Sequence, residues 1–402
     1  MALKGIFTSH QGIVGERNGD FASAILQYYP TGQAQLLAIS AGIPTEGAAD
    51  TTFHWYEDSH ISGRQATVSG GTTTSVVVAD GSFYVPNQIL WVEETGEYLF
   101  VTAVTGDTLT VVRGIGGTSV VSIDNTHHVQ LIGNAHEEAS EKPTAVSQQG
   151  TPRSNLVQIW RNAWAISGTA KVVKYRTGDK LAKNKRECAM YHSEDMERSL
   201  IWGKKHLSTL NGNQFRMTDG IVTQIESFGG VVETANSDPG TGAVAGNLHL
   251  TDFYDFIREV FATGVKGQPQ ERICFNGDIV LQVINRCTQL DGEYEISVNE
   301  SEVGINVRKV ITPFGSLSML THPMMNESPV WQKELYVLHP GGLKKRMLRD
   351  TFEDNYDKSG TRTNGKDADE GLMTTEGGME VGGARCMGIY RNITKAVASP
   401  TT

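Results

Sequence analysis

The chain has 402 residues, enough for two or three domains with real hydrophobic cores. Its 39% hydrophobic and 20% charged residues are those of an ordinary folded soluble protein. A formal charge of −10 argues against a duplex-DNA reader, which needs a clustered basic face.

No apolar run reaches the roughly 18 residues that cross a bilayer, so no membrane partner is expected. The start, MALKGIFTSHQGIVGERNGD, has no continuous apolar segment after its lysine and does not read as a secretory signal. Cys188, Cys274, Cys287 and Cys386 lie far apart without a CxxC pair. That pattern is expected of buried free thiols in a reducing cytoplasm. The 44 glycines suit a chain of many β segments and long excursions.

Residues 1 to about 50 show no clean long period. Ala22, Ile25, Leu26 and Tyr29 give one short helix face before Pro30 and Gly32. A segment with no core of its own reads as an arm. Residues 61 to about 135 carry β-branched and aromatic runs cut by glycine, with hairpin turns expected at Glu94-Thr95-Gly96 and Thr105-Gly106-Asp107. This predicts a compact all-β module of four to six strands.

Within it lies TVVRGIGGTSV, residues 110–120. A dinucleotide loop needs its glycines between a strand and a helix. Here Gly114, Gly116 and Gly117 lead into TSVVSI, expected to be another strand, and no lysine is followed by Ser or Thr as a P-loop requires. A structural turn is the expectation.

Residues 136–152 read as a polar return linker. RSNLVQIWRNAWAISGTAKVV follows, amphipathic or strand-like, with Trp160 and Trp164 four apart. From Asp179 to Leu210 there is no proline and one glycine, Gly203. An apolar seam at Leu181, Cys188, Met196, Leu200 and Leu207 predicts one helix of about 30 residues, on the order of 45 Å long, capped by Asp179 and stopped at Asn211-Gly212. Residues 213 to about 340 read α+β. A helix is expected over TDFYDFIREVFATG, with Phe253, Phe256, Ile257, Val260 and Phe261 on one face, and another over Asp278–Gln289 after the strand RICF. Two strands are expected around a Pro-Phe-Gly turn, then ELYVLHPGGLKKRML, and a final strand pair after the polar loop DNYDKSGTRTNGKDADEG.

No GxSxG, HExxH, P-loop or EF-hand spacing is present. Three weak clusters remain. His127, His128, His136, Glu137 and Glu138 offer metal ligands, but adjacent strand histidines point to opposite faces. His192-Ser-Glu194 resembles the start of a deaminase signature without its P-C-x-x-C, and reads as helix surface. The acidic loop from Asp354 to Glu370 has oxygen ligands in no recognised calcium spacing. The expectation is therefore no catalytic residues, no metal and no cofactor, and a structural role.

Four stretches carry a family resemblance: FHWYED (Phe53 to Asp58), LTVVRGIGGT (Leu109 to Thr118), RSNLVQIWRNAWAISGTA (Arg153 to Ala170) and RMTDGIVTQI (Arg216 to Ile225). Their order and spacing resemble the major capsid proteins of tailed bacteriophages, of the Hong Kong 97-type fold. More narrowly, they resemble the branch whose extended loop carries an inserted β domain. The resemblance implies an N-terminal arm (1–45), an extended loop (46–152) with a small all-β domain at about 62–135, and a peripheral domain (153–212) with a spine helix at about 179–210. It also implies an axial domain (213–335) and a return to the peripheral domain (336–402). It further implies self-assembly through pentamers and hexamers into an icosahedral shell around double-stranded DNA without sequence-specific binding. Portal, a separate scaffolding protein and decoration proteins are the other implied partners. The implied location is the virion, after assembly in the host bacterial cytoplasm. Arg153, Trp160, Trp164, Phe53 and Trp55 are the subunit-interface candidates, with core packing as the alternative for Arg153 and the two tryptophans at 160 and 164. The competing readings are a tail component or adhesin, which leaves the long charged helix unexplained, and an enzyme using the acidic loop, which needs converging ionisable groups in a deep pocket.

Overall fold

The computed structural model describes residues 42–58, 65–72, 74–143, 145–147, 149–175, 178–236, 244–265, 270–291, 297–298, 308–355 and 367–397. The chain forms two compact units: Met1–His54 with Ser154–Thr402, and Trp55–Arg153 between them in sequence.

The first unit mixes helix and sheet. A four-stranded sheet runs in the order Thr45–Gly47, Leu343–Asn355, Ala368–Val381, Gln158–Ser167. The strand Gln158–Ser167 lies antiparallel to Ala368–Val381, with Trp160 opposite Thr375 and Trp164 opposite Gly371. Exposed residues alternate with buried or half-buried ones along it, so Trp160, Trp164 and Ile166 share the inner face. That face packs on the long helix Lys180–Trp202, where Leu200, Ile201 and Cys188 are buried.

This helix begins as the sequence suggested, with the Asp179 carboxylate accepting from the Leu181 amide at 2.8 Å. It ends eight residues earlier than expected, at Trp202 rather than Leu210. The cause is a backbone crossing at Gly203 and Gly220. The Gly220 amide donates to the Gly203 carbonyl at 2.9 Å, and a Cβ on Gly220 would sit 2.6 Å from the Gly203 nitrogen. Asn211-Gly212 is not a helix stop. Both residues have positive φ, 52° and 79°, and turn a hairpin between His206–Leu210 and Asn213–Met217. Asn-Gly at a two-residue turn is the strongest short hairpin signal, and here it outranks helical spacing.

A seven-stranded mixed sheet runs in the order Val231–Thr234, Gly388–Arg391, Leu335–Leu338, Glu271–Asn276, Gly315–Thr321, Arg308–Thr312, Ser297–Val298. The helices Leu250–Ala262 and Asp278–Asp291 bring Phe253, Phe256, Ile257, Val260, Val280 and Ile284 into one core with Cys274, Leu317 and Val337 of the sheet. Phe275, Tyr336, Leu338 and Ile389 join a second core with Trp160, Leu200 and Ile201. The division expected at 335/336 falls inside Leu335–Leu338, which pairs with both Glu271–Asn276 and Gly388–Arg391.

The second unit holds a closed six-stranded antiparallel barrel. Its strands follow the order Gln65–Gly71, Ser75–Val78, Thr108–Val112, Tyr98–Thr105, Gln88–Val92, His128–Asn134. Period-two alternation fills the interior with Val68, Val76, Leu90, Leu99, Leu109 and Val129, all fully buried. Gly96 and Gly106 make the two expected hairpin turns at φ 70° and 58°. TSVVSI is not a strand: residues 118–124 have no regular structure, and of its apolar residues only Ile123 is buried while Val120 and Val121 are exposed.

Candidate functional site: buried polar joints and uncovered surface

Two of the four quoted stretches meet in a buried joint. Asn155 is fully buried and saturated. Its Nδ2 donates to Thr218 Oγ1 (3.1 Å), the Asp219 carbonyl (3.0 Å) and the Met379 carbonyl (2.7 Å), while its Oδ1 accepts from the amides of Leu156 (2.7 Å) and Asp219 (2.8 Å). Gln224, also fully buried, donates to the Asp219 and Met379 carbonyls and accepts from the Val381 amide. Gln158 accepts from the Thr218 amide, and Arg216 donates to the Val157 carbonyl. The irregular turn Thr218-Asp219-Gly220 thus receives from side chains the partners that a regular ladder would supply. Burial pushes the Asp219 carboxyl up, while the Lys205 amide and charge oppose it.

The four-stranded sheet holds an ion-pair row around Glu376 and Glu380. Glu376 receives Arg216 and Arg349, each at 2.7 Å, and Glu380 receives Arg346 at 2.5 Å. Glu46 joins through Lys344 and Arg346. On the helix side, His192 is buried rather than on the helix surface. Its Nδ1 lies 2.7 Å from Asn162 Oδ1, and its Nε2 lies 2.7 Å from Thr375 Oγ1. Burial lowers its basicity, with Asp195 opposing.

The glycine stretch in the barrel closes over an ion pair. Arg113 Nε and Nη2 reach the two oxygens of Glu97 at 2.9 and 2.5 Å, and the Gly114 and Val121 amides complete the carboxylate. Glu97 has no exposed surface. Burial pushes its carboxyl up; the Arg113 hydrogen bond and charge and the two amides outweigh it, and the net shift is downward. Gly114, Gly116 and Gly117 all take positive φ, a geometry that wraps this pair; it forms only the three-residue 3-10 turn Ile115–Gly117, and no α-helix follows it as a dinucleotide loop requires.

The interface candidates are buried or half-buried within their own chain. Trp160 and Trp164 are buried in their own chain. Trp160 donates to Ser199 Oγ at 3.1 Å and Trp164 to Glu353 Oε1 at 3.1 Å, with Lys185 Nζ 4.4 Å from the Trp164 ring. Phe53 and Trp55 are buried too, and half-buried Arg153 pairs with Glu57 at 3.4 Å. Trp160 and Trp164 thus lie on the inner face of a strand under a long helix, the core packing expected as their alternative.

The metal-ligand residues do not converge as a set. His136 Nδ1 sits beside Asn87, His127 Nδ1 accepts from the Asp124 amide, and Glu137 and Glu138 are exposed. His128 instead joins Glu93 and Glu94, with ligand atoms within 4.8 Å of one another. His128 Nδ1 lies 2.7 Å from Glu94, whose carboxyl is held down to about 2, chiefly by that hydrogen bond. Most of the acidic loop, 356–366, lies outside the described residues. At its end Asp369 pairs with Lys171.

The chain matches the model of the SU10 major capsid protein family over residues 6–394. The chain belongs to the SU10 major capsid protein family. It is 25% identical over 377 residues to a major capsid protein of Pseudomonas phage PaMx41, covering 90% of this chain and 89% of the relative. Chains of similar structure include one from Mycobacterium phage Cain (TM-score 0.49, 9% identity, 98% and 100% covered) and one from the capsid of Myoviridae phage XM1 (TM-score 0.48, 12% identity, 95% and 99% covered). This capsid protein is a structural component of a tailed-phage virion, and its family is not an enzyme class. The buried joints therefore belong to a building block: they fix one subunit's shape.

Proposed function

We propose that the chain builds an icosahedral shell of the Hong Kong 97 type, through pentamers and hexamers, around double-stranded DNA. In this reading residues 1–45 are the arm, 46–152 the extended loop with the barrel inserted in it, and the helix Lys180–Trp202 the spine of a peripheral domain (153–212 and 336–402). Residues 213–335 are the axial domain, sharing its sheet with the returning strand Gly388–Arg391. Assembly takes place in the host cytoplasm, with a portal, a separate scaffolding protein and decoration proteins as partners.

One observation carries the reading. The unit spends its tryptophans and its buried polar groups on internal rigidity, yet leaves whole segments uncovered. The hairpin His206–Met217 pairs only with itself among the described residues, and Leu207, Leu210 and Phe215 stand exposed. A lone two-stranded hairpin is marginal in water, and large uncovered apolar residues mark surfaces completed by other chains.

Sedimentation velocity of the expressed chain tests this. Rings of five and six subunits, or larger closed bodies, are expected. A monomer at every concentration and salt would overturn the reading.

A further inference from the structure

On the barrel, Glu93, Glu94 and His128 each bring one donor atom within 4.8 Å of the other two. Glu93 and Glu94 lie in the turn after the strand Gln88–Val92, and His128 opens the strand His128–Asn134. Within a strand, consecutive residues point to opposite faces. The turn frees the two glutamates from that rule, and both reach the same histidine.

The backbone holds them there. The two strands pair with Val92 opposite Val129. The Glu93 amide donates to the His128 carbonyl at 3.0 Å. The His128 amide donates to both Glu94 oxygens, at 3.1 and 2.9 Å. Gln65, on the strand that flanks His128–Asn134 on its other side, donates through Nε2 to Glu93 Oε1 at 3.0 Å. Three neighbouring strands of a closed barrel thus preorganise one imidazole and two carboxylates. Among the described residues no lysine or arginine pairs with either carboxylate. Glu97 in the same hairpin, by contrast, has Arg113. Two adjacent carboxylates without a basic partner favour a bound cation.

We propose that Glu93, Glu94 and His128 form a site for a divalent first-row transition metal ion of the zinc class. The donor set carries the choice: an imidazole nitrogen suits zinc and its neighbours, whereas calcium and magnesium take oxygen ligands. His128 Nδ1 lies 2.7 Å from Glu94 Oε1. An ion with bonds of about 2.1 Å holds neighbouring octahedral ligands about 3 Å apart, so it seats between these two atoms in place of the hydrogen they share. Glu93 supplies the third ligand and Gln65 orients it. Water completes the coordination, since His128 and Glu94 are both partly exposed. The ion ties the turn to the strand His128–Asn134, and it stabilises the barrel because the unfolded chain does not hold the three donors together.

Titration calorimetry of the full-length chain with zinc chloride tests the site. One zinc per chain is expected, with calcium and magnesium weaker by about tenfold or more. His128→Ala abolishes that binding event, and Gln65→Leu weakens it about tenfold by releasing Glu93. His127→Ala and His136→Ala leave it unchanged. Zinc raises the melting temperature of the wild type and not that of His128→Ala. Circular dichroism of His128→Ala stays at the wild-type value; if that variant fails to fold, Glu93→Gln/Glu94→Gln reads the same loss. No zinc binding overturns the site. So does a zinc stoichiometry and affinity unchanged in both His128→Ala and the double glutamine variant, which would move the ion to other histidines or to a cysteine. Calcium bound as tightly as zinc overturns the assigned metal class. Each of these results leaves the shell reading intact, because none depends on assembly.

Discussion

The Nδ2 of Asn155 donates to the carbonyl of Met379 at 2.7 Å, across 224 residues of sequence. That bond ties the end of the strand Thr151–Leu156 to the strand Ala368–Val381 of the four-stranded sheet. Asn155 makes four further hydrogen bonds in full burial. Asn155→Ala therefore orphans the Leu156 and Asp219 amides. A loss of roughly 2–4 kcal/mol is expected, since each buried orphan costs about 1–3 kcal/mol. A urea titration of the soluble chain reads it directly, and an unchanged midpoint would show that the joint is replaceable.

In the barrel, Arg113→Met leaves Glu97 buried without its counter-charge. The expected loss is about 3–5 kcal/mol, with most of it recovered in Arg113→Met/Glu97→Leu, because an apolar replacement of a buried pair is often neutral. Glu97 titrates below its ordinary value in the folded chain, so its stabilisation holds above that ordinary value and is lost as pH falls through the lowered one. Thermal melting of the three proteins at neutral pH separates these outcomes; a double variant as weak as the single would mean the pair contributes by more than mutual neutralisation.

Gly371 lies under the Trp164 indole, where a Cβ would come within 2.4 Å of the ring. Gly371→Ala must shift a buried tryptophan that also bonds Glu353 and lies beneath Lys185. An overpacking cost of about 1–3 kcal/mol is expected, with a shift in tryptophan emission. Unchanged emission and stability would place the indole elsewhere.

His192 is held below its ordinary value of 6.5, chiefly by burial, so the unfolded chain takes up its proton first. The sign follows: stability is full above about 6.5 and falls as pH drops below it. His339 shifts the same way, through burial and the Arg272 charge. His192→Gln should flatten the stability profile between neutrality and the folded value, leaving the His339 share. A profile as steep as the wild type would remove His192 from the account.

The legible parts of the sequence were those with a strong period or a turn residue of one meaning. The Phe253–Phe261 helix face, the barrel turns at Gly96 and Gly106, and the Asp179 cap all follow from local rules. The helix end did not, because Gly203 stops it through a backbone crossing with Gly220 that no local pattern encodes. Asn211-Gly212 follows the helical spacing from Leu181 to Leu207, which makes the pair read as a helix stop where it turns a hairpin. His192 looked like surface because its partners, Asn162 and Thr375, lie 30 and 183 residues away. Asn155 and Gln224 sat inside the stretches that carried the family resemblance, yet their role needed strand register to appear. Trp160 and Trp164 pack under their own helix, in line with the core-packing alternative that the sequence leaves open beside a subunit interface.

The central claim is that this chain closes into a shell with copies of itself. Electron microscopy of the purified chain, expressed with and without its genomic neighbours, tests it most directly. Closed icosahedral particles, with pentamers and hexamers resolved, are the result the account expects. A well-folded monomer in every field and under every condition would contradict it.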